Sequence, residues 1–427
     1  MSARRPPSRG PAPEEGGRRP PARGGPQVAP LLSLVGLAVI AAISFQLLGG
    51  SLPVVGVSGG GGPGISSRTP DPIVPFTPPQ KPQVLGTILF VKAGNVWSVS
   101  GSDQLTQISR SGTDSSPVWS PDGALIYFVQ TKTMKALMPC SMMPAACTGQ
   151  SPYTLQYPVI SSMRPDGTGR TAIASGLYAL SGGYHYFTWL LQPAISPDGR
   201  TFALIGDAPD PLAADALHLE TMPVAGGTPT VLNVPEEYGM GHSDPAWSPD
   251  GRYIAFTYNH VDGALGMPKI GLYNVATRRT TFLTGYGFAQ PAWSPDGKYI
   301  AAVQTSAKGR DVVILNASTG DVVLHLTSDG TSFAPVWSPA GNQIAFLRAS
   351  GLSIDLELAT LTGSAPNFTR SKVEALTTDS ELDGTSKPAW FIPADQMPAP
   401  SAAPAPAVSG APGASRAAGS SGATGTP

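Results

Sequence analysis

The chain has 427 residues, with 27 Lys and Arg against 28 Asp and Glu, and its 50 Gly and 46 Pro exceed ordinary usage. Six basic residues (Arg4, Arg5, Arg9, Arg18, Arg19 and Arg23) fall in the first 26 positions, which leaves the remainder mildly acidic. That balance excludes a nucleic-acid binder, which needs clustered Lys and Arg to meet phosphates. The Gly/Pro excess at both ends confines the folded mass to residues 85–393, enough for one large core.

In chain order, residues 1–27 read as a basic, Pro-rich stub. Residues 28–48 carry no charge and are mostly Val, Leu, Ile and Ala. As a helix they would span about 30 Å, the thickness of a bilayer's hydrocarbon core. The Arg-rich flank predicts a cytoplasmic N-terminus, with everything after Leu48 extracytoplasmic. A cleaved signal peptide fits less well, because no A-x-A site follows the apolar run. Residues 49–84 read as a Gly/Pro-rich tether and residues 394–427 as an Ala/Pro/Ser/Gly tail.

Between these ends one motif recurs. It reads PVWSPDGALIYF from Pro117, PAISPDGRTFAL from Pro193, PAWSPDGRYIAF from Pro245, PAWSPDGKYIAA from Pro291 and PVWSPAGNQIAF from Pro335, with a fragment PAWFIP from Pro388. A period of about 40–50 residues signals propeller blades of four strands. In each unit the Trp (Trp119, Trp247, Trp293, Trp337 and Trp390) ends a short strand and is expected to be buried between blades. Pro-Asp-Gly makes a tight turn, in which Asp122, Asp198, Asp250 and Asp296 can bond the turn backbone. The strand that follows is apolar on both faces, as a sheet sandwiched between two others requires. PAWFIP supplies one strand, and TILFVKAGNVWSVSGSDQLTQIS from Thr87 supplies three. Joined, they complete a sixth blade and remove both exposed sheet edges. The expected fold is all-β: a six-bladed β-propeller closed by N- and C-terminal strands, with an insertion at 131–157 and one transmembrane helix ahead of it.

These WSPDG repeats resemble the TolB-like β-propeller family, a WD-repeat-like group, over residues 85–393. Ile195 in place of Trp and Ala340 in place of the turn Asp are departures. TolB itself carries an α/β domain before its propeller; here a membrane helix and tether are expected instead. The resemblance therefore implies the fold and not TolB's own partners.

A four-stranded meander puts the Ser-Pro-Asp-Gly turns on one face and the longer connections on the other. Long-loop residues are the usual carriers of binding. They include His185, Glu236, Glu237, Tyr238, His242, His260 and Asp262, with Asp244 beside them. The His and carboxylates admit a divalent metal at the channel mouth, although their spacing is not that of a metal motif. Cys140 and Cys147 fall inside the insertion, where an extracytoplasmic setting predicts a disulfide. GVSGG at Gly56 matches G-x-S-x-G but lies in the tether, without the strand and helix that a nucleophile elbow needs.

The sequence therefore predicts a membrane-anchored extracytoplasmic propeller. Its expected role is a non-enzymatic platform, without a cofactor, for a protein or cell-envelope component bound through the long-loop face. The alternative is a metal-assisted carbohydrate lyase or hydrolase at the channel mouth, which some TolB-like propellers resemble.

Overall fold

The computed structural model describes residues 82–101, 104–137, 152–207, 217–235, 241–259, 267–363 and 367–398. The expected stub and membrane helix (1–27, 28–48), most of the tether, Cys140, Cys147 and nearly all of the tail lie outside the described residues. Among the described residues no helix is long and apolar enough to cross a membrane.

Six four-stranded antiparallel sheets form, each in chain order from an inner to an outer strand except the last. The inner strands are Asp114–Trp119 (blade 1), Leu190–Ile195 (blade 2), His242–Trp247 (blade 3), Phe288–Trp293 (blade 4) and Ser332–Trp337 (blade 5). Ala389–Phe391 serves blade 6. This last strand pairs with Val84–Lys92, so the two ends of the domain meet in one sheet. The sequence expectation of a closed six-bladed ring is met.

The second strands are buried on both faces, as their uninterrupted apolar runs require. Ile254, Ala255, Phe256 and Tyr258 of blade 3 are fully buried, as are Ile344, Ala345 and Phe346 of blade 5. They form clusters that cross blade boundaries: Ala203, Ile205 and Leu219 of blade 2 pack with Ile254, Phe256 and Tyr258 of blade 3. Stability here is inter-blade burial, so each sheet depends on its neighbours.

The motif turns are built alike. The Ser120, Ser196, Ser248 and Ser294 hydroxyls donate to Asp122, Asp198, Asp250 and Asp296 at 2.5–2.6 Å. Each Asp also accepts the backbone N–H two residues on, at 3.0–3.1 Å. These bonds, led by that from serine, hold Asp122 and Asp198 below the ordinary carboxylate range. In blade 5 the Ala340 N–H instead reaches the Ser338 hydroxyl at 3.2 Å. Asp250→Ala is expected to cost about 1 kcal/mol, and Ala340→Asp to recover a similar amount. Urea midpoints at unchanged slope check both.

A second repeated device escapes the motif. The hydroxyls of Ser109, Thr284, Thr327 and Thr377, just past the outer strands, accept the N–H groups of Val96, Ile270, Val312 and Leu356 at 2.9–3.0 Å. They tie each outer strand's exit back onto the third strand. The recurring Leu-Thr pair (Leu283-Thr284, Leu326-Thr327, Leu376-Thr377) is its sequence signal.

The described flanks of the region read as an insertion prolong two paired strands of blade 1. Ile126–Ala136 and Tyr153–Met163 stay in register out to Ala136 opposite Tyr153. Beside them stands a small hairpin, Leu177–Ala179 with His185–Phe187. Ala136, Leu155, Tyr186 and Phe187 make a separate buried cluster there. Because the second strand leaves the Ser-Pro-Asp-Gly turn, its far end rises on the opposite face.

Candidate functional site: the axial channel

The six inner strands enclose an axial cavity of about 300 Å³. Its wall repeats the motif as stacked rings. One ring is proline: Pro117, Pro193, Pro245, Pro291, Pro335 and Pro388. Beyond it lie Val118, Ala194, Ala246, Ala292, Val336 and Ala389, and then Trp119, Ile195, Trp247, Trp293, Trp337 and Trp390.

Trp119, Trp337 and Trp390 are buried, as expected of all five, but Trp247 and Trp293 are only half-buried and face the cavity. Their indole N–H groups donate to Ala194 O and Ala246 O at 3.2 Å, each reaching the preceding blade's inner strand. At Trp247 and Trp293 the motif tryptophan is therefore both a link between blades and a channel wall, its polar edge meeting an acceptor on the preceding blade. The buried Nε1 atoms of Trp119 and Trp337 have no hydrogen-bond partner among the described residues.

In blades 1 to 5 the residue before the motif proline is left-handed: Ser116 at φ 48°, Gln192 at 49°, Asp244 at 54°, Gln290 at 55° and Ala334 at 52°. At each the register with the second strand slips, making one bulge in each of these five blades. The bulge turns its N–H toward the neighbouring blade. Asp244 N–H donates to Gln192 Oε1 at 2.8 Å, Ala334 N–H to Gln290 Oε1 at 2.8 Å, and Ser116 N–H to Ser386 Oγ at 3.1 Å. A bulge costs of order 1 kcal/mol in backbone strain, and at these three positions an inter-blade bond offsets it. Sequence reasoning began the motif at proline and so missed this ring. The polar residue standing before most of these prolines is the signal that points to it.

Blade 6 puts Lys387 at the equivalent position. Its Nζ crosses to Pro291 O of blade 4 at 2.8 Å. Protein surrounds the ammonium, and Lys387 is one of the residues that line the cavity. Burial pushes its pKa down, and the charge of Asp244 opposes that shift. Asp244, expected on a loop, sits instead in the inner strand and lines the cavity.

His242 opens the blade 3 inner strand and is 5% exposed. Its ring stacks on Tyr258 at 5.0 Å, and its Nδ1 is buried without a hydrogen-bond partner. Burial, with help from nearby His218, lowers its pKa to about 4. His185 lies on the small hairpin, its N–H donating to Leu137 O at 2.8 Å. Glu236, Glu237, Tyr238, His260 and Asp262 fall outside the described residues. Among the described residues no set of three His, Cys, Asp or Glu side chains is arranged to hold a metal ion.

Residues 180–390 match the family model described as TolB beta propeller domain. The crystal structure of TolB from Acinetobacter baumannii aligns at 20% identity with a TM-score of 0.50, covering 71% of this chain and 66% of that one. The chain thus spans just under two thirds of that protein's length. The structure of putative TolB from Agrobacterium tumefaciens aligns at 16% identity and a TM-score of 0.48, over 72% of this chain and 94% of that one. No curated protein matches the chain significantly. The motif turns, the closed six-blade ring and the family match agree: residues 180–390 are those of a TolB beta propeller domain.

Proposed function

We propose that the chain is a membrane-anchored, extracytoplasmic binding platform, non-enzymatic, which captures a protein or cell-envelope component on the face opposite the Ser-Pro-Asp-Gly turns. Residues 28–48 are its anchor in this reading. The observation that carries it is the asymmetry of the two faces. One ends in short, self-bonded turns. The other bears the raised strand pair of blade 1, with its own buried cluster around Leu155, Tyr186 and Phe187. A rigid ring with one elaborated face is the usual arrangement of a recognition scaffold. The match of residues 180–390 to a TolB beta propeller domain supports the same reading.

Photo-crosslinkers placed in the full-length protein in its native membrane test it. Lys135 is on the raised strand pair, and Lys298 is on an opposing turn; both are exposed. Position 135 is expected to give a discrete adduct and position 298 none. Adducts from position 298 alone, or from neither, would overturn the assignment.

A further inference from the structure

The axial cavity holds a charged pair that the binding-platform reading does not use. An ammonium has three donors, and Lys387 commits one of them to Pro291 O. Asp244 is 6% exposed and receives the Ser243 and Thr257 hydroxyls on Oδ2, both at 3.0 Å. Its Oδ1 accepts no hydrogen bond among the described residues. The two side chains sense each other electrostatically without a direct bond. The cavity therefore offers two free N–H donors and one free carboxylate oxygen, set among proline and tryptophan rings.

Charge balance narrows what can enter. The formal charges of Lys387 and Asp244 cancel. A simple anion or cation would add an uncompensated charge to a desolvated site, which costs several kcal/mol. A zwitterion adds none and satisfies both groups at once. The volume, about 300 Å³, equals roughly ten water molecules and suits one side chain of phenylalanine size.

We propose that the axial cavity is a binding site for a free apolar α-amino acid. Its carboxylate meets Lys387 Nζ, its ammonium meets Asp244 Oδ1, and its side chain lies between the proline and tryptophan rings. The site is separate from the raised face, so either assignment can fail alone.

Three probes of one size test it on the full-length protein: L-phenylalanine, 3-phenylpropionate and phenethylamine, followed by calorimetry and by tryptophan fluorescence. L-Phenylalanine is expected to bind with a Kd below about 1 mM, and each singly charged analogue at least about tenfold more weakly. Lys387→Met leaves Asp244 uncompensated and is expected to reverse the order, with phenethylamine binding best. Absence of saturable binding by any probe, equal affinity for all three, or an order unchanged in Lys387→Met would each overturn the proposal. If Lys387→Met does not fold, the ranking in the wild-type protein decides.

Discussion

Ending the chain at Ser386 is expected to abolish cooperative folding, although only one short strand of the propeller is removed. That strand closes the ring. Thr87, Ile88 and Leu89 pair with Phe391, Trp390 and Ala389. The Trp390 indole N–H donates to Leu85 O at 2.8 Å. Trp390 and Ile392 are buried in a cluster shared with Ile88, Phe90 and Val99. Phe391 meets Trp119 of blade 1 at 5.4 Å between ring centroids. Each large apolar side chain lost is worth roughly 2 kcal/mol of burial. Truncation also bares the edge of the 84–92 strand to solvent and to other chains. Against a total stability of about 5–15 kcal/mol for a typical domain, that is a large fraction.

Trp390→Ala alone is expected to cost about 3–5 kcal/mol, more than Trp247→Ala, whose side chain is only half-buried. Gly86→Ala attacks the same seam from the other side. Gly86 has φ 70°, and an added Cβ would lie 2.1 Å from Phe391 O. Thermal unfolding of the truncated chain with an unchanged midpoint would show that closure is dispensable.

The second large effect is on pH dependence. His242 is neutral in the folded protein, with its pKa lowered to about 4 from an ordinary 6.5. In the window between these values the unfolded chain binds the extra proton and the folded chain does not. Stability from this group is therefore complete above pH 6.5 and is lost as pH falls toward 4. The shift corresponds to about 3 kcal/mol. His242→Phe keeps a ring against Tyr258 and removes the titration. Urea unfolding at pH 7 and pH 4.5 is expected to show a smaller loss in the variant. The comparison also separates His242 from Asp207, whose burial pushes its pKa up and whose contribution has the opposite sign. Equal pH slopes in the two proteins would show that His242 is not the group responsible.

Much of the fold was legible because its signals are short-range. Ser-Pro-Asp-Gly specifies a turn through bonds that span at most five residues: the Ser248 hydroxyl donates to Asp250 and accepts the Tyr253 N–H. Apolar runs such as Tyr253–Tyr258 declare a doubly covered strand. The unpaired pieces at Thr87 and Pro388 required one another as soon as blades were counted. The candidate site was less legible. His242 stood in the sequence beside loop-like residues, yet it begins an inner strand and stacks under Tyr258. The half-buried Trp247 and Trp293 differ from the buried Trp337 within closely similar local motifs, because the space around each is set by the neighbouring blades.

The sequence by itself determined the repeat unit, the number of blades and the need for the two ends to join, since each follows from turn chemistry and from a period that a reader can count. Only the tertiary structure decided what faces the axis. Lys387 and Asp244 come from blades 6 and 3, 143 positions apart in the chain, and are brought to one cavity by no local rule. They share a cavity because six twisted sheets, closed into a ring, bring every inner strand to the same centre, and a side chain's neighbours there belong to other blades.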